Sequence, residues 1–216
     1  MVPSEGGSMS RQAMSPVNEQ TKELGTMVSR VAAISGTVRE TLAGRKTLTG
    51  GDLVQEANNV IEEIAFTLAR EDEEMFGEPI ESRRPVFRYQ GILTHLQIVA
   101  ATMASLVDEQ QKRLRDGISL SGNAQDHADL LFTHQEMILC TLKEAIRSGD
   151  RAHLRAVCRA CQELTHFSRQ WAAEQERLNS EPGSSLFLKT LELLHELLYH
   201  EREIVKLLVR WQLKGA

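Results

Sequence analysis

The sequence predicts an all-α protein of six long helices, arranged as two pseudo-repeated three-helix bundles. Three observations predict it. Proline is scarce and confined to Pro3, Pro16, Pro79, Pro85 and Pro182, so long stretches carry no helix breaker. Between the glycine and proline clusters, apolar residues recur at three- and four-residue steps, the period of one helix face. The pattern gives three long helices, breaks at DGISLSGN (116–123), and gives three more.

The first helix is expected from about Asn18 to Ala43, with Leu24, Met27, Val28, Val31, Ile34, Val38 and Leu42 on one face and Gly44 as its stop. The second opens with Asp52 as N-cap and carries Leu53, Ala57, Val60, Ile61, Ile64, Ala65 and Leu68 before fading into Glu71-Asp72-Glu73-Glu74. Gly77 to Pro85 forms the connection. The third starts near Pro85, where a first-turn proline is tolerated, and runs through Leu93, Leu96, Ala100, Met103 and Val107 to about Leu114. After the break, the fourth covers Ala124 to Arg147, with Ala128, Leu131, Ile138, Leu142 and Ala145 inward, and stops at Gly149. The fifth runs from Asp150 to about Leu178, inward through Leu154, Val157, Cys161, Leu164 and Trp171. NSEPGSS leads to the sixth, from about Ser185 to Leu213. Helices of this length cannot bury a wide apolar stripe alone, so three pack together in each half. The expected division is a flexible leader (1–17), a first bundle (18–116) and a second (123–214). A single larger bundle with a long crossover is the alternative.

Composition narrows the function. The chain has 216 residues, a formal charge of -5 and no basic run longer than two residues. A nucleic-acid binder needs a concentrated basic surface to displace counterions, so no nucleic-acid partner is expected. Three cysteines, an odd number, argue against a disulfide scaffold and for a reducing, cytoplasmic setting. The first residues lack the apolar core of a signal peptide, and no stretch is expected to be apolar over the ~18 residues of a membrane span.

The segment LELLHELLYHEREIVKLLVRW (191–211) holds two His-Glu pairs and resembles at a glance the His-Glu-x-x-His signature of zinc hydrolases. Two helical histidines share a metal at i,i+4 spacing, whereas His195 and His200 are five apart and point roughly 140° away from each other. The hydrolase reading fails on geometry. Glu163 with His166 and Glu192 with His195 are Glu-x-x-His pairs of the di-iron bundle kind, but such sites project inward. With Cys161 at the centre of the stripe, Glu163 and His166 fall on the outer face. Cys158 and Cys161 lie mid-helix, away from the helix N-terminus that activates a redox thiolate; Cys161 reads as a small core residue and Cys158 as the edge of the stripe. The pair that remains is Glu196 and His200, i,i+4 and opposite the stripe of Leu191, Leu194, Leu198, Val205 and Leu208.

Six long helices in two halves, with Gly51-Asp52 and Gly149-Asp150 opening the second helix of each, resemble the PhoU domain, including the form appended to sodium-phosphate cotransporters. The resemblance covers about residues 20–213. It implies a Glu-x-x-x-Asp motif on the third helix of each half, with paired motifs binding metal on the outer surface. Glu196 then stands at the glutamate of the second motif and His200 at its aspartate; in the first, Ala104 stands at the glutamate and Asp108 at the aspartate. The Ile-Gly that usually follows is Leu198-Tyr199 here. Two carboxylates and a histidine, Glu196, Asp108 and His200, thus replace four carboxylates, which suits a single divalent ion, zinc or iron, with imidazole favouring zinc.

No nucleophile with a base, glycine-rich phosphate cradle or inward acid-base pair is legible, so a non-enzymatic regulatory or adaptor module is expected. The resemblance implies as partner a membrane phosphate or sodium-phosphate transporter, or a signalling kinase. It also implies a membrane association through that partner or through an upstream transporter domain. The acidic end of the second helix and the outer faces of the third and sixth are the expected contact surfaces. Leu193, Leu197, Ile204 and Trp211 exceed one core stripe and suggest either a homodimer or further packing within the bundle. The competing functional classes are a metal-dependent enzyme or storage bundle, and a plain helical interaction protein without a phosphate connection.

Overall fold

The computed structural model describes residues 16–42, 50–79, 83–118, 120, 122–177 and 183–212. Among them the structure is all-helical: α1 (Pro16–Leu42), α2 (Gly50–Met75), α3 (Arg83–Arg115), α4 (Gly122–Ser148), α5 (Arg151–Arg177) and α6 (Ser184–Gln212). The expected leader lies outside the described residues except for Pro16 and Val17, which open α1. Helix α2 starts two residues ahead of the expected cap, and the side chain of Asp52 is also outside the described set.

Local chemistry sets the ends. Gly117 and Gly149 adopt φ of 64° and 67°, the left-handed conformation that a glycine accepts without a Cβ clash. At the first, Ile118 N–H bonds back to the Arg113 carbonyl at 3.1 Å, closing α3 with a Schellman-type turn; at the second, Gly149 N–H bonds to the Ala145 carbonyl at 2.9 Å. Asp150 then caps α5, its Oδ1 accepting from Ala152 N–H at 2.7 Å.

Most residues of the expected apolar stripes are buried and merge into one cluster that takes in all six helices, with Leu53, Ile61, Leu68 and Trp171 only partly buried against it; the Leu42 side chain lies outside the described set. Consecutive helices within each triplet are antiparallel, and the two triplets meet along two seams, α1 against α4 and α3 against α6. Helix α2 leans mainly on α3, and α5 covers α4 and α6. A glycine lies at each seam. A Cβ on Gly36 of α1 would come 3.0 Å from Glu136 Oε1 of α4, and one on Gly91 of α3 would come 3.1 Å from Leu207 Cδ1 of α6. Both positions let helices approach more closely than a larger residue allows.

Two expectations change, and one open alternative is decided. On α2 the buried stripe continues through Thr67 and Glu71, while Ala65 faces solvent, because the face rotates toward α1 and α3. Of the two uses expected for Leu193, Leu197, Ile204 and Trp211, packing within the bundle is the one these residues show, with Trp211 stacked on Tyr89 of α3 at 5.6 Å. Helix α3 contains an 18-residue window with mean hydropathy 1.3, long and apolar enough by composition to cross a membrane. In the fold it is a central helix, burying Leu93, Leu96, Val99 and Met103 against α1, α2 and α6.

Candidate functional site

His200 anchors the site that the sequence singles out. It lies just off the α6 core stripe and turns toward α3, where its Nδ1 sits 2.8 Å from Nδ1 of His95. One ring nitrogen of this pair carries a proton and the other accepts it, which requires at least one neutral imidazole. Burial pushes both pKa values below the usual histidine value, and for His200 the neighbouring His95 adds to the shift. Glu203 opposes it at both rings, and Glu196 does so at His200.

The other predicted ligands are placed elsewhere. Glu196 is exposed one turn before His200. Asp108 pairs with Lys112 at 2.8 Å, and it stands on α3 about 20 Å beyond His95 at 1.5 Å per residue. The structure therefore joins His200 to His95, which sequence reasoning missed, and not to Asp108. Among the described residues no three His, Cys, Asp or Glu side chains converge as a metal site. The donors that do meet are two imidazoles, which suit zinc better than a hard cation.

The Glu-x-x-His pairs also separate. Glu163 and His166 are both exposed on α5. Glu192 is exposed and held by Lys189 at 2.7 Å, while His195 turns inward to Ser168, Nε2 to Oγ 2.5 Å. The Ser168 hydroxyl donates to the Thr165 carbonyl at 3.1 Å, leaving its lone pair for the imidazole N–H. Burial lowers the His195 pKa, and Arg169 lowers it further. This serine is fully buried and already committed as a donor, so the pair ties α5 to α6 rather than exposing a nucleophile.

The residue next to His200 carries the most unusual environment. Glu201 is fully buried on α6, and its Oε1 accepts from Gln135 Nε2 of α4 at 2.6 Å. Gln135 Oε1 in turn accepts from the Ser35 hydroxyl of α1. Cys161 of α5 lies on the other side, Sγ 4.0 Å from Glu201 Oε2. Burial pushes the Glu201 pKa up to about 8, so the group is a neutral acid at pH 7. Burial and Glu201 together raise the Cys161 thiol far above its ordinary value, which makes it inert. A sequence signal was present: Glu201 and Gln135 both fall on the three-and-four stripes of their helices, where a polar residue demands a partner.

A second polar group lies at the far end of the first triplet. Glu23 of α1 accepts from Arg70 at 2.8 Å, from Tyr89 at 3.1 Å and from Thr67 at 3.2 Å. Glu71, expected in a solvated run, is buried beside it, bonded to Gln20 at 2.9 Å, and burial raises its pKa. Asp72, Glu73 and Glu74 stay exposed. Next to them Asp72, Met75, Phe76, Arg83 and Phe87 line an open cleft of ≈ 440 Å³ at the α2–α3 turn.

Among the described residues, fold and site define six helices around a closed core, with a central buried acid and a partly buried histidine pair. Neither the family models, nor the curated proteins, nor the solved structures include a match to the chain.

Proposed function

We propose that the chain is a non-enzymatic adaptor, a helical bundle that acts by presenting surface side chains to a partner protein. The observation that carries this reading is the apolar tip at the α2–α3 turn, where Phe76 is 92% exposed and Phe87 55% exposed on either side of the cleft. Exposed aromatic side chains grouped around a cleft are what partner interfaces use as anchors. Asp72, Glu73 and Glu74 beside it favour a partner segment with an apolar side chain flanked by lysine or arginine. Following the resemblance to the PhoU domain, the partner is a membrane phosphate or sodium-phosphate transporter, or a signalling kinase, and the role is to adjust uptake to phosphate supply. Three free thiols support a reducing, cytoplasmic setting.

Phe76→Asp tests this. The exposed position predicts an unchanged melting temperature together with loss of the transporter or kinase that co-purifies with the unaltered chain from its native cells. A partner retained by Phe76→Asp, or lost equally with a distant surface change such as Tyr199→Asp, contradicts the reading.

A second reading has the His95–His200 pair in its favour. Zinc bonds of 2.0–2.1 Å in tetrahedral geometry place two nitrogens about 3.3 Å apart, close to the 2.8 Å seen here. Elemental analysis of protein purified without added metal tests it: one zinc per chain supports a surface ion at this pair, whereas two irons per chain favour a metal enzyme or storage bundle.

A further inference from the structure

Among the described residues, two buried side chains near the C-terminal end of α3 hold polar atoms without a hydrogen-bond partner. Gln110 is 1% exposed and Arg113 8% exposed, one helical turn apart on the same face. Gln110 Oε1 and Nε2 make no hydrogen bond, and neither do Arg113 Nε and Nη1. Burial alone lowers the Arg113 pKa, with no acidic neighbour opposing that shift. The nearby Glu109 carboxylate is already held by Lys112 at 3.1 Å. Leaving such groups unsatisfied is costly, and more so for a charge. Ser35, Gln135, Ser168, Gln175 and Glu201 in the core are bonded; Arg39, Asp129, His153 and Arg202 each leave a single buried atom without a hydrogen bond, whereas Gln110 and Arg113 leave two apiece.

Their place in the fold indicates what is missing. Helix α3 is antiparallel to α2, with Gln90 bonded to Asp72, and to α6, with His95 against His200. At this end, Glu109 acts on Lys189, in the second turn of α6. The last turns of α3 therefore lie where α2 and α6 begin. Helix N-termini offer free N–H donors and the positive end of the helix dipole, and α6 has no acidic residue in its first turn. A buried guanidinium with no carboxylate opposing it, at the end of the bundle where α2 and α6 begin, calls for an anion. Gln110 refines the chemistry: its NH₂ donates to an oxyanion, but its Oε1 needs a donor. Inorganic phosphate supplies both acceptor oxygens and an O–H at neutral pH, and a phosphomonoester does so as its monoanion, populated near and below its second pKa of about 6; sulfate and carboxylate at neutral pH supply acceptors only.

We propose that Gln110 and Arg113 form an anion site that takes a protonated phosphate group, either inorganic phosphate or the phosphate ester of a larger molecule. The site is at the opposite end of α3 from the Phe76–Phe87 tip, and its test is independent of the adaptor reading.

The experiment is calorimetric titration and thermal melting of the full chain in phosphate-free chloride buffer at fixed ionic strength, with inorganic phosphate, phenyl phosphate and sulfate as probes. The expected result is a saturable rise in melting temperature with phosphate or phenyl phosphate and none with sulfate. Tighter binding of phenyl phosphate assigns the ester as the natural form; tighter binding of inorganic phosphate assigns the free anion. Arg113→Met and Gln110→Leu replace unsatisfied polar groups with apolar ones of similar size, so the ligand-free fold should keep or gain stability. Arg113→Met should weaken phosphate by at least about tenfold, the scale of one lost charge-assisted bond. If Arg113→Met fails to fold, Gln110→Leu and Arg113→Lys carry the test. No response to either phosphate, an equal response to sulfate, or wild-type affinity in the folded variants overturns the proposal.

Discussion

The carboxyl of Glu201 and the side-chain amide of Gln135 meet at 2.6 Å in the middle of the bundle, with both residues fully buried. Through Ser35, this contact links the second triplet to the first. A buried hydrogen-bonded chain of this kind is satisfied in one arrangement of helices and broken by any slip in register, so it sets α1, α4 and α6 relative to one another.

The buried acid predicts a pH-dependent stability. Unfolded, Glu201 titrates near 4.5; folded, near 8. Between those values the unfolded chain holds fewer protons than the folded one, so this group's contribution is complete below about pH 4.5, falls as pH rises, and is lost above about pH 8. The change amounts to a few kcal/mol. Urea unfolding at pH 5, 7 and 9 measures it, and Glu201→Gln should remove that slope while keeping a group able to bond Gln135.

The histidine pair predicts the opposite sign. Both folded pKa values lie below the ordinary 6.5, so the unfolded chain binds more protons as pH drops. Stability from this pair is complete above about 6.5 and is lost as pH falls below that value. Unfolding of His95→Gln across pH 5 to 7, against the unaltered chain, should show a shallower acid loss. Zinc competes with protons for the same nitrogens, so its stabilisation should also weaken with acid and vanish in His95→Gln and His200→Ala.

The α3–α6 seam predicts a steric limit. Gly91→Val places branched carbons where a Cβ already comes 3.1 Å from Leu207 Cδ1, and overpacking of this kind costs about 1–3 kcal/mol. Thermal melting should show the loss, and Leu207→Ala added to Gly91→Val should restore part of it.

Helix number, order and most core stripes were legible in the sequence because period and breakers are local properties. Leu24 to Val38 and Leu93 to Val107 need no tertiary knowledge to be placed inward. What was not legible depends on contacts between helices. His95 has no local feature that marks it as the neighbour of His200, since that pairing follows from the antiparallel seam of α3 and α6. Glu71 reads as one member of an acidic run, yet a rotation of the α2 face buries it beside Gln20. Leu193 and Leu197 read as excess apolar surface until the single core uses them. Glu201, by contrast, stands at a stripe position, and a carboxylate there was a sign of a buried bonded acid.

The central claim is that the chain acts through the α2–α3 tip. It is tested most directly by placing a photo-crosslinking phenylalanine at position 76 in the native cell and identifying the adducts by mass spectrometry, with the same probe at the exposed position 199 as control. The account predicts one dominant adduct at 76, absent at 199 and lost when Phe87 becomes Asp. The adduct should be to a transporter or kinase, at a segment where an apolar residue is flanked by basic ones. The same adducts at both positions, or none at 76, would contradict it.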